Sequence, residues 1–172
     1  LEKQMAQDIL DRAEVICSTC IGAGHEILSD RLFPFVLLDE ATQSSEPSSL
    51  VPLSRGSRQV VMVGDHRQLP PTVISRRAED GGLNRSLFER LIDSGIPVNM
   101  LEVQYRMHPT IRDYPSGRFY EGRLEDGGDA LTRTAPAGVT WPDWEHSVAF
   151  VPVEGSEIVD EMGASRSNMD EA

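Results

Sequence analysis

Lysine is almost missing from this 172-residue chain: of 16 basic residues only Lys3 is a lysine. Gln4 follows it and no glycine precedes it, so these residues hold no Gly-x-x-x-x-Gly-Lys-Ser/Thr loop, the device that cradles nucleotide phosphates. Cysteine is scarce as well, and two residues, Cys17 and Cys20, cannot build a disulfide framework. Their C-x-x-C spacing would suit half a zinc site or a redox pair. No second cysteine pair exists, His25 is the only nearby imidazole, and the pair ends an apolar run instead of opening a helix; two reduced thiols are the preferred reading. Long apolar runs are lacking too. None approaches the ~20 residues of a membrane-spanning helix, and Leu1-Glu2-Lys3-Gln4 does not resemble a signal peptide. The expectation is a soluble intracellular protein, cytoplasmic with the nucleus as alternative, with no membrane partner.

Excess positive charge is the last absence. A formal net charge of −12 argues against gripping nucleic acid by bulk electrostatics. Arginines nevertheless recur from Arg55 to Arg123, while residues 154–172 hold six carboxylates against Arg166 alone. Any nucleic-acid contact is therefore local. What is present suffices for a folded core, since 39% of the residues are hydrophobic and 26% charged.

Met5, Ala6, Ile9, Leu10 and Ala13 follow helical spacing, and residues 14–18 read as a short strand stopped by Gly22 and Gly24. Phe35-Val36-Leu37-Leu38 and Val60-Val61-Met62-Val63 are continuous apolar runs, as expected of parallel strands covered on both faces. Pro47 to Leu53 offers a short helix between them. Ser86 and Glu89 form a capping box before the stripe Leu87, Phe88, Leu91 and Ile92, and Gly95 supplies the stop. Further strands are expected over residues 98–103 and 147–153, a loop over 122–143, and the start of a helix over 165–172. Trp141 and Trp144 suit either a stacking platform for bases or anchors for that loop, and the anchor reading is preferred. Strands alternating with helices indicate an α/β fold.

Each of the two apolar runs stops at acids. The first delivers Asp39-Glu40 to the carboxyl end of a parallel strand, where open α/β sheets bind ligands. One carboxylate there can hold magnesium through its water shell while its neighbour orients or deprotonates an attacking water, although a lone Asp-Glu pair would more simply be a solvated strand end. The second run continues as Gly64-Asp65-His66-Arg67-Gln68-Leu69-Pro70-Pro71. Gly64 permits a tight turn, Pro70 and Pro71 stiffen the chain beyond it, and the neutral Gln68 can engage a phosphate and a water together. Further on comes Gln104-Tyr105-Arg106-Met107-His108-Pro109, where the fork of Arg106 suits phosphoryl oxygens.

Together, DEATQ, VGDHRQLPP and QYRMHP, in this order and spacing, resemble motifs II, III and IV of superfamily 1 helicases. CSTCIGAG, SLFERL and FYEGRL resemble the branch that contains the nonsense-mediated mRNA decay helicase, and PPTVIS leans toward senataxin in the same branch. The resemblance covers roughly residues 14–172. It implies a RecA-like parallel sheet with flanking helices, with residues 1–99 as the carboxyl half of a first motor domain and 100–172 as the opening portion of a second.

By the same resemblance the cofactors are ATP and Mg2+. Asp39 would coordinate the metal through water, Glu40 would be the catalytic base, and Gln68 would sense the γ-phosphate. Gln43 would sit near the phosphate and water network, Tyr105 would stack on adenine, and Arg106 would be the arginine finger. Thr19, Gly22 and, less firmly, Pro71 would lie along the nucleic acid. The implied partners are RNA or single-stranded DNA, ATP and RNA-surveillance factors.

The departure from the family pattern is the missing phosphate loop and the lack of motifs after motif IV, so the chain is expected to be a segment of a larger motor and inactive alone. The alternatives are a degenerate nucleic-acid-binding module and a structural or regulatory remnant. Asp39, Glu40, Gln68 and Arg106 speak against both, because a degenerate ATPase has no chemical need for them. The DEAD-box class competes weakly, since the Gly-Asp-x-x-Gln-Leu string does not belong to it.

Overall fold

The first apolar run forms β1, Phe35–Leu38, and the second forms β2, Gln59–Met62, and the two pair in parallel with Phe35 opposite Gln59 and Leu38 opposite Met62. The computed structural model describes residues 2–128, 141, 148–150, 152, 157–159 and 166–168. Its chain divides into two compact units, Leu1–Asn99 and Met100–Ala172. No helix among the described residues is long and apolar enough to cross a membrane.

In the first unit, α1 (Glu2–Arg12) precedes two 3-10 turns at Gly22–Gly24 and Glu26–Leu28. Lys3 pairs with Glu26, and Arg31 bonds both Gln7 and Asp11, so polar side chains hold α1 while Met5 and Ile9 remain exposed. The expected strand over residues 14–18 is not formed. A strand exists only through a neighbour, and β1 and β2 pair with each other while Val15 stays 78% exposed.

Between β1 and β2 lies α2, Glu46–Leu53, with Pro47 in its first turn. The core gathers Val36, Leu38 and Ala41 against Cys20, Phe33, Leu53, Met62 and Phe88. Burying side chains such as Val36 and Leu38 contributes roughly 1.5–3 kcal/mol each. The expectation that both sheet faces are covered fails for this chain. Burial alternates along β1, and Phe35 and Leu37 stay 56% and 55% exposed because the core gathers on the opposite face only.

After the short α3 (Arg76–Asp80) comes α4, Leu87–Asp93. The serine half of the expected capping box is there: the Ser86 hydroxyl accepts from the Glu89 N–H, while no bond from the Ser86 N–H to the Glu89 carboxylate forms among the described residues. At the other end Gly95, at φ 86°, donates to Ile92 and Ile96 donates to Leu91, which closes the helix in a Schellman turn. Arg90 of α4 bonds both carboxylate oxygens of Glu46 at 2.7 Å, and Ser45 bridges Ser86, so α4 is tied to the start of α2. That pairing holds the Glu46 carboxyl below its usual range.

The second unit repeats the strand-helix-strand order with β3 (Val103–Gln104), α5 (Pro109–Phe119) and β4 (Glu125–Asp126), β3 and β4 being parallel. The strand expected over 98–103 shrinks to its last residue plus Gln104, since β4 offers a partner of two residues. The same β4 interrupts the loop expected over 122–143, of which residues 129–140, 142 and 143 lie outside the described residues.

Of the expected strand 147–153, residues 148–150 and 152 carry no strand, and the others lie outside the described residues. The expected helix over 165–172 is contradicted where it is described. Arg166–Asn168 is a strand, β6, antiparallel to β5 at Glu157–Val159, because ladder pairing satisfies a Ser-Asn backbone that has weak helix propensity. Trp141 is half-buried, and Trp144 lies outside the described residues.

Candidate functional site

Two parallel strands end at one edge, and here the edge is stitched by main chain. The Val63 N–H donates to Leu38 O and the Ala41 N–H donates to Val63 O, both at 2.8 Å, so the turn after β1 and the turn after β2 share a ladder that outlasts the strands. Gly64 makes the approach possible. A Cβ there would lie 3.1 Å from the Thr42 N and 3.2 Å from the Ala41 N, tighter than side chains normally tolerate against backbone.

Immediately after Asp39 the chain breaks its extended course. Glu40 adopts φ 50° and ψ 39°, a left-handed conformation that costs a residue with a Cβ about 1 kcal/mol. From there the chain enters the 3-10 turn Ala41–Gln43, with Ala41 and Thr42 buried beneath exposed Asp39, Glu40 and Gln43. The Asp39 carboxylate accepts from the Glu40 N–H at 3.1 Å, and the Glu40 carboxylate accepts from Gln43 Nε2 at 3.1 Å. In the turn after β2, Asp65 accepts from the Arg67 N–H at 3.0 Å and from Gln68 Nε2 at 2.8 Å, which fixes the carboxamide of Gln68.

These turns border two hollows. The larger, about 450 Å3, is lined by Thr19, Glu40, Gln43 and Pro71, joined by Cys20, Ser44, Ser48 and Thr72. The smaller, about 170 Å3, is lined by Gln68, Thr42, His66, Pro70, Ser86 and Glu89. The structure thus gathers four of the expected residues in one hollow and sets Gln68 in a second that also takes in buried Thr42. Gly22 lines neither, but its N–H donates to the Thr19 hydroxyl at 3.0 Å. The Cys20 thiol accepts a long hydrogen bond from Ser44, while Cys17 is exposed.

No group of three or more His, Cys, Asp or Glu converges on a metal position among the described residues. A cation beside Asp39 would have to take most of its ligands from water and phosphate. That suits magnesium, which keeps several waters and uses one or two carboxylates.

In the second unit the QYRMHP string runs from β3 into α5. His108 caps the helix by accepting from the Thr110 N–H, with Pro109 at its first position. Gln104 organises the turn between: its Oε1 accepts from the N–H groups of Arg106 at 2.9 Å and Met107 at 2.6 Å, and its Nε2 donates to Met107 O at 2.8 Å and Asp126 at 2.7 Å. Arg112 of α5 grips the same Asp126 through both carboxylate oxygens. The Arg112 hydrogen bond, followed by that of Gln104, holds the Asp126 carboxyl below the usual range.

Tyr105 is 70% exposed, and its ring lies so close over Gly127 that no Cβ would fit there. Arg106 is exposed, and its guanidinium makes no ion pair with any described residue. Glu102, the carboxylate that could have steadied it, is taken by Arg123.

Sequence reasoning passed over Asp65, Arg112 and Asp126. Asp65 had a local signal, an acid three residues before Gln68 in a turn. Asp126 had none, since it lies 22 residues from the Gln104 it holds.

A family model described as AAA domain matches residues 1–76, and a second, also described as AAA domain, matches residues 83–172. The chain is 44% identical over its whole length to "Regulator of nonsense transcripts 1" of Dictyostelium discoideum, covering 13% of that protein. It is 45% identical over its whole length to "ATP-dependent helicase NAM7" of Saccharomyces cerevisiae, covering 18% of it. Against "Probable helicase MAGATAMA 3" of Arabidopsis thaliana it is 45% identical over 95% of the chain and covers 20% of that relative. The chain therefore spans a fifth or less of these relatives' lengths. With motifs II, III and IV carried on a RecA-like α/β architecture, the chain belongs to the AAA-domain family, in the superfamily 1 helicase branch of the nonsense-transcript regulators.

Proposed function

We propose that this chain is the part of an ATP-driven nucleic-acid motor in which nucleotide chemistry and the nucleic-acid path adjoin, acting on RNA, or on single-stranded DNA, in RNA surveillance. The carrying observation is the stitched edge of β1 and β2, where Glu40 and Gln43 share one hollow with Thr19 and Pro71. A conformational signal between hydrolysis and track needs no longer lever than the turn Ala41–Gln43. Residues 1–99 are then the carboxyl half of a first RecA-like domain and residues 100–172 the opening of a second.

In this reading ATP and Mg2+ bind at that edge. Asp39 would hold the metal through water, and the chemistry supplied there would be neutralisation of phosphate charge. Glu40 takes the proton of the attacking water, with Gln43 donating to its carboxylate. Gln68, oriented by Asp65, senses the terminal phosphate. Tyr105 stacks on the adenine, and Arg106 supplies paired donors to the transferring phosphoryl group. Thr19, Gly22 and Pro71 line the nucleic-acid path. The 172 residues hold no phosphate loop, so this chain alone is expected to show no nucleic-acid-stimulated ATP turnover.

The test is a chimera in which this chain replaces the matching segment of the yeast relative. Glu40→Gln should leave ATP binding intact and stop hydrolysis; loss of nucleotide affinity instead would give Glu40 a structural role. Arg106→Ala should lower turnover by about 10³ to 10⁵ with a modest change in nucleotide affinity, and Arg106→Lys should rescue poorly. Preserved turnover in a destabilised Arg106→Ala protein would remove Arg106 from the chemistry. A chimera that binds nucleic acid but never hydrolyses ATP would favour the degenerate binding module.

A further inference from the structure

The turn that carries Tyr105 and Arg106 is not held by the strand from which it springs. β3 contributes only two residues to a ladder, and past Gln104 the side chain of that residue bonds the main chain of Arg106 and Met107. That side chain is saturated. A carboxamide offers two acceptor lone pairs and two N–H donors, and Gln104 spends them on Arg106 N, Met107 N, Met107 O and Asp126 Oδ1. The amide orientation is dictated chemically, since two backbone N–H groups demand the oxygen and the Asp126 carboxylate demands the nitrogen. Glutamate would set an anion against Asp126, and asparagine would be one methylene short.

Asp126 is in turn immobilised from α5 by Arg112, at 3.2 Å and 2.6 Å. The next residue, Gly127, donates its N–H to Gln104 O at 2.8 Å and lies directly beneath the Tyr105 ring. Two consecutive residues at the end of β4 therefore serve two consecutive residues of the motif by different means. Asp126 acts on the backbone of Arg106 through Gln104, and Gly127 acts on the ring of Tyr105 by leaving it room.

We propose that Gln104, Asp126 and Gly127 are positioning residues for the nucleotide reaction, Gln104 and Asp126 setting the reach of Arg106 and hence turnover, Gly127 setting the Tyr105 ring and hence nucleotide affinity. This rests on the roles proposed for Arg106 and Tyr105. Those roles are tested by Arg106→Ala and Tyr105→Ala on their own, so failure of the roles and failure of the positioning are separable.

In the same yeast chimera, Gln104→Glu should lower kcat by about 10²-fold, the scale of a misplaced catalytic group. In an Arg106→Ala background the same change should alter kcat by no more than about twofold, because a residue acting through Arg106 has nothing left to act through. Adding Asp126→Asn to Gln104→Glu should recover part of the loss, since the new amide can donate to the new carboxylate. Gly127→Ala should raise the KM for ATP more than it lowers kcat, and should do neither in a Tyr105→Ala background.

Melting temperatures of every variant separate misfolding from mispositioning. If Gln104→Glu does not fold, Asp126→Ala, which removes the acceptor of both Gln104 and Arg112, carries the same expectation against Arg106→Ala. Equal losses of kcat with and without Arg106, or a kcat loss for Gly127→Ala that persists without Tyr105, would overturn the proposal. If Arg106→Ala and Tyr105→Ala are themselves silent, the assigned roles fall and the positioning falls with them.

Discussion

The two units each bring a motif to the end of a parallel strand pair, and they do it with different materials. In the first, main chain bonds main chain: Val63 to Leu38 and Ala41 to Val63, with Gly64 pressed against the 41–42 backbone. In the second, side chains from three elements converge, Gln104 from β3, Arg112 from α5 and Asp126 from β4. A main-chain scaffold is indifferent to most side-chain changes but intolerant of added volume at its closest approach. A side-chain scaffold depends on charge state and on individual atoms.

That contrast is sharpest at glycine. Gly64→Ala should destabilise the chain by roughly 1–3 kcal/mol, the usual cost of overpacking, because the buried Thr42 methyl and the backbone nitrogens of Ala41 and Thr42 all crowd the new Cβ and the backbone cannot swing aside. Gly117→Ala in α5 should do the opposite. A Cβ there meets nothing within 4 Å, and alanine at a helical position gains about 0.4–1 kcal/mol. Denaturant unfolding of the two variants measures both. Equal signs would mean that the approach at Gly64 is softer than the packing implies.

A smaller effect tests the link between α4 and the first unit's edge. Ser86→Ala removes the cap from Glu89 N–H and should cost about 1 kcal/mol by the same measurement. A change within about 0.3 kcal/mol would show that the Glu46–Arg90 pair holds α4 without its cap.

The smallest effect is titration. The Asp126 carboxyl lies below its ordinary value in the folded chain, mainly through Arg112, so its stabilisation is complete above the unfolded value of about 3.9 and is lost as pH falls through the lower folded value. Followed by NMR, the Arg106 amide should move in that acid range, since its acceptor Gln104 is anchored to Asp126, while ladder amides inside β2 should hold still. An Arg106 amide that ignores acid would disconnect Gln104 from Asp126.

The same difference in materials explains what could be read from the sequence. The runs at Phe35–Leu38 and Val60–Val63 announce a parallel strand pair because apolar continuity is a local property, and Ser86, Glu89 and Gly95 announce a helix because capping spans only a few residues. The turns that carry Asp39, Glu40 and Gln68 are legible from those strand ends. Residues 14–18 mislead because extended composition does not supply a partner, and residues 166–168 because a hairpin with 157–159 overrides a weak helical start. The exposed face of β1 is illegible for the complementary reason: an apolar residue does not state what covers it. Asp126 is illegible because a carboxylate in a Gly-rich stretch gives no sign of a carboxamide waiting 22 residues upstream.

Glu40 occupies a backbone conformation in which glycine or asparagine would rest more comfortably. A library of this chain sorted only for folded protein would therefore drift away from glutamate at that position, trading the carboxylate for relaxed backbone. Retention of glutamate in a matching library sorted for activity, set against its loss in the library sorted for folding, would measure selection for chemistry separately from selection for folding.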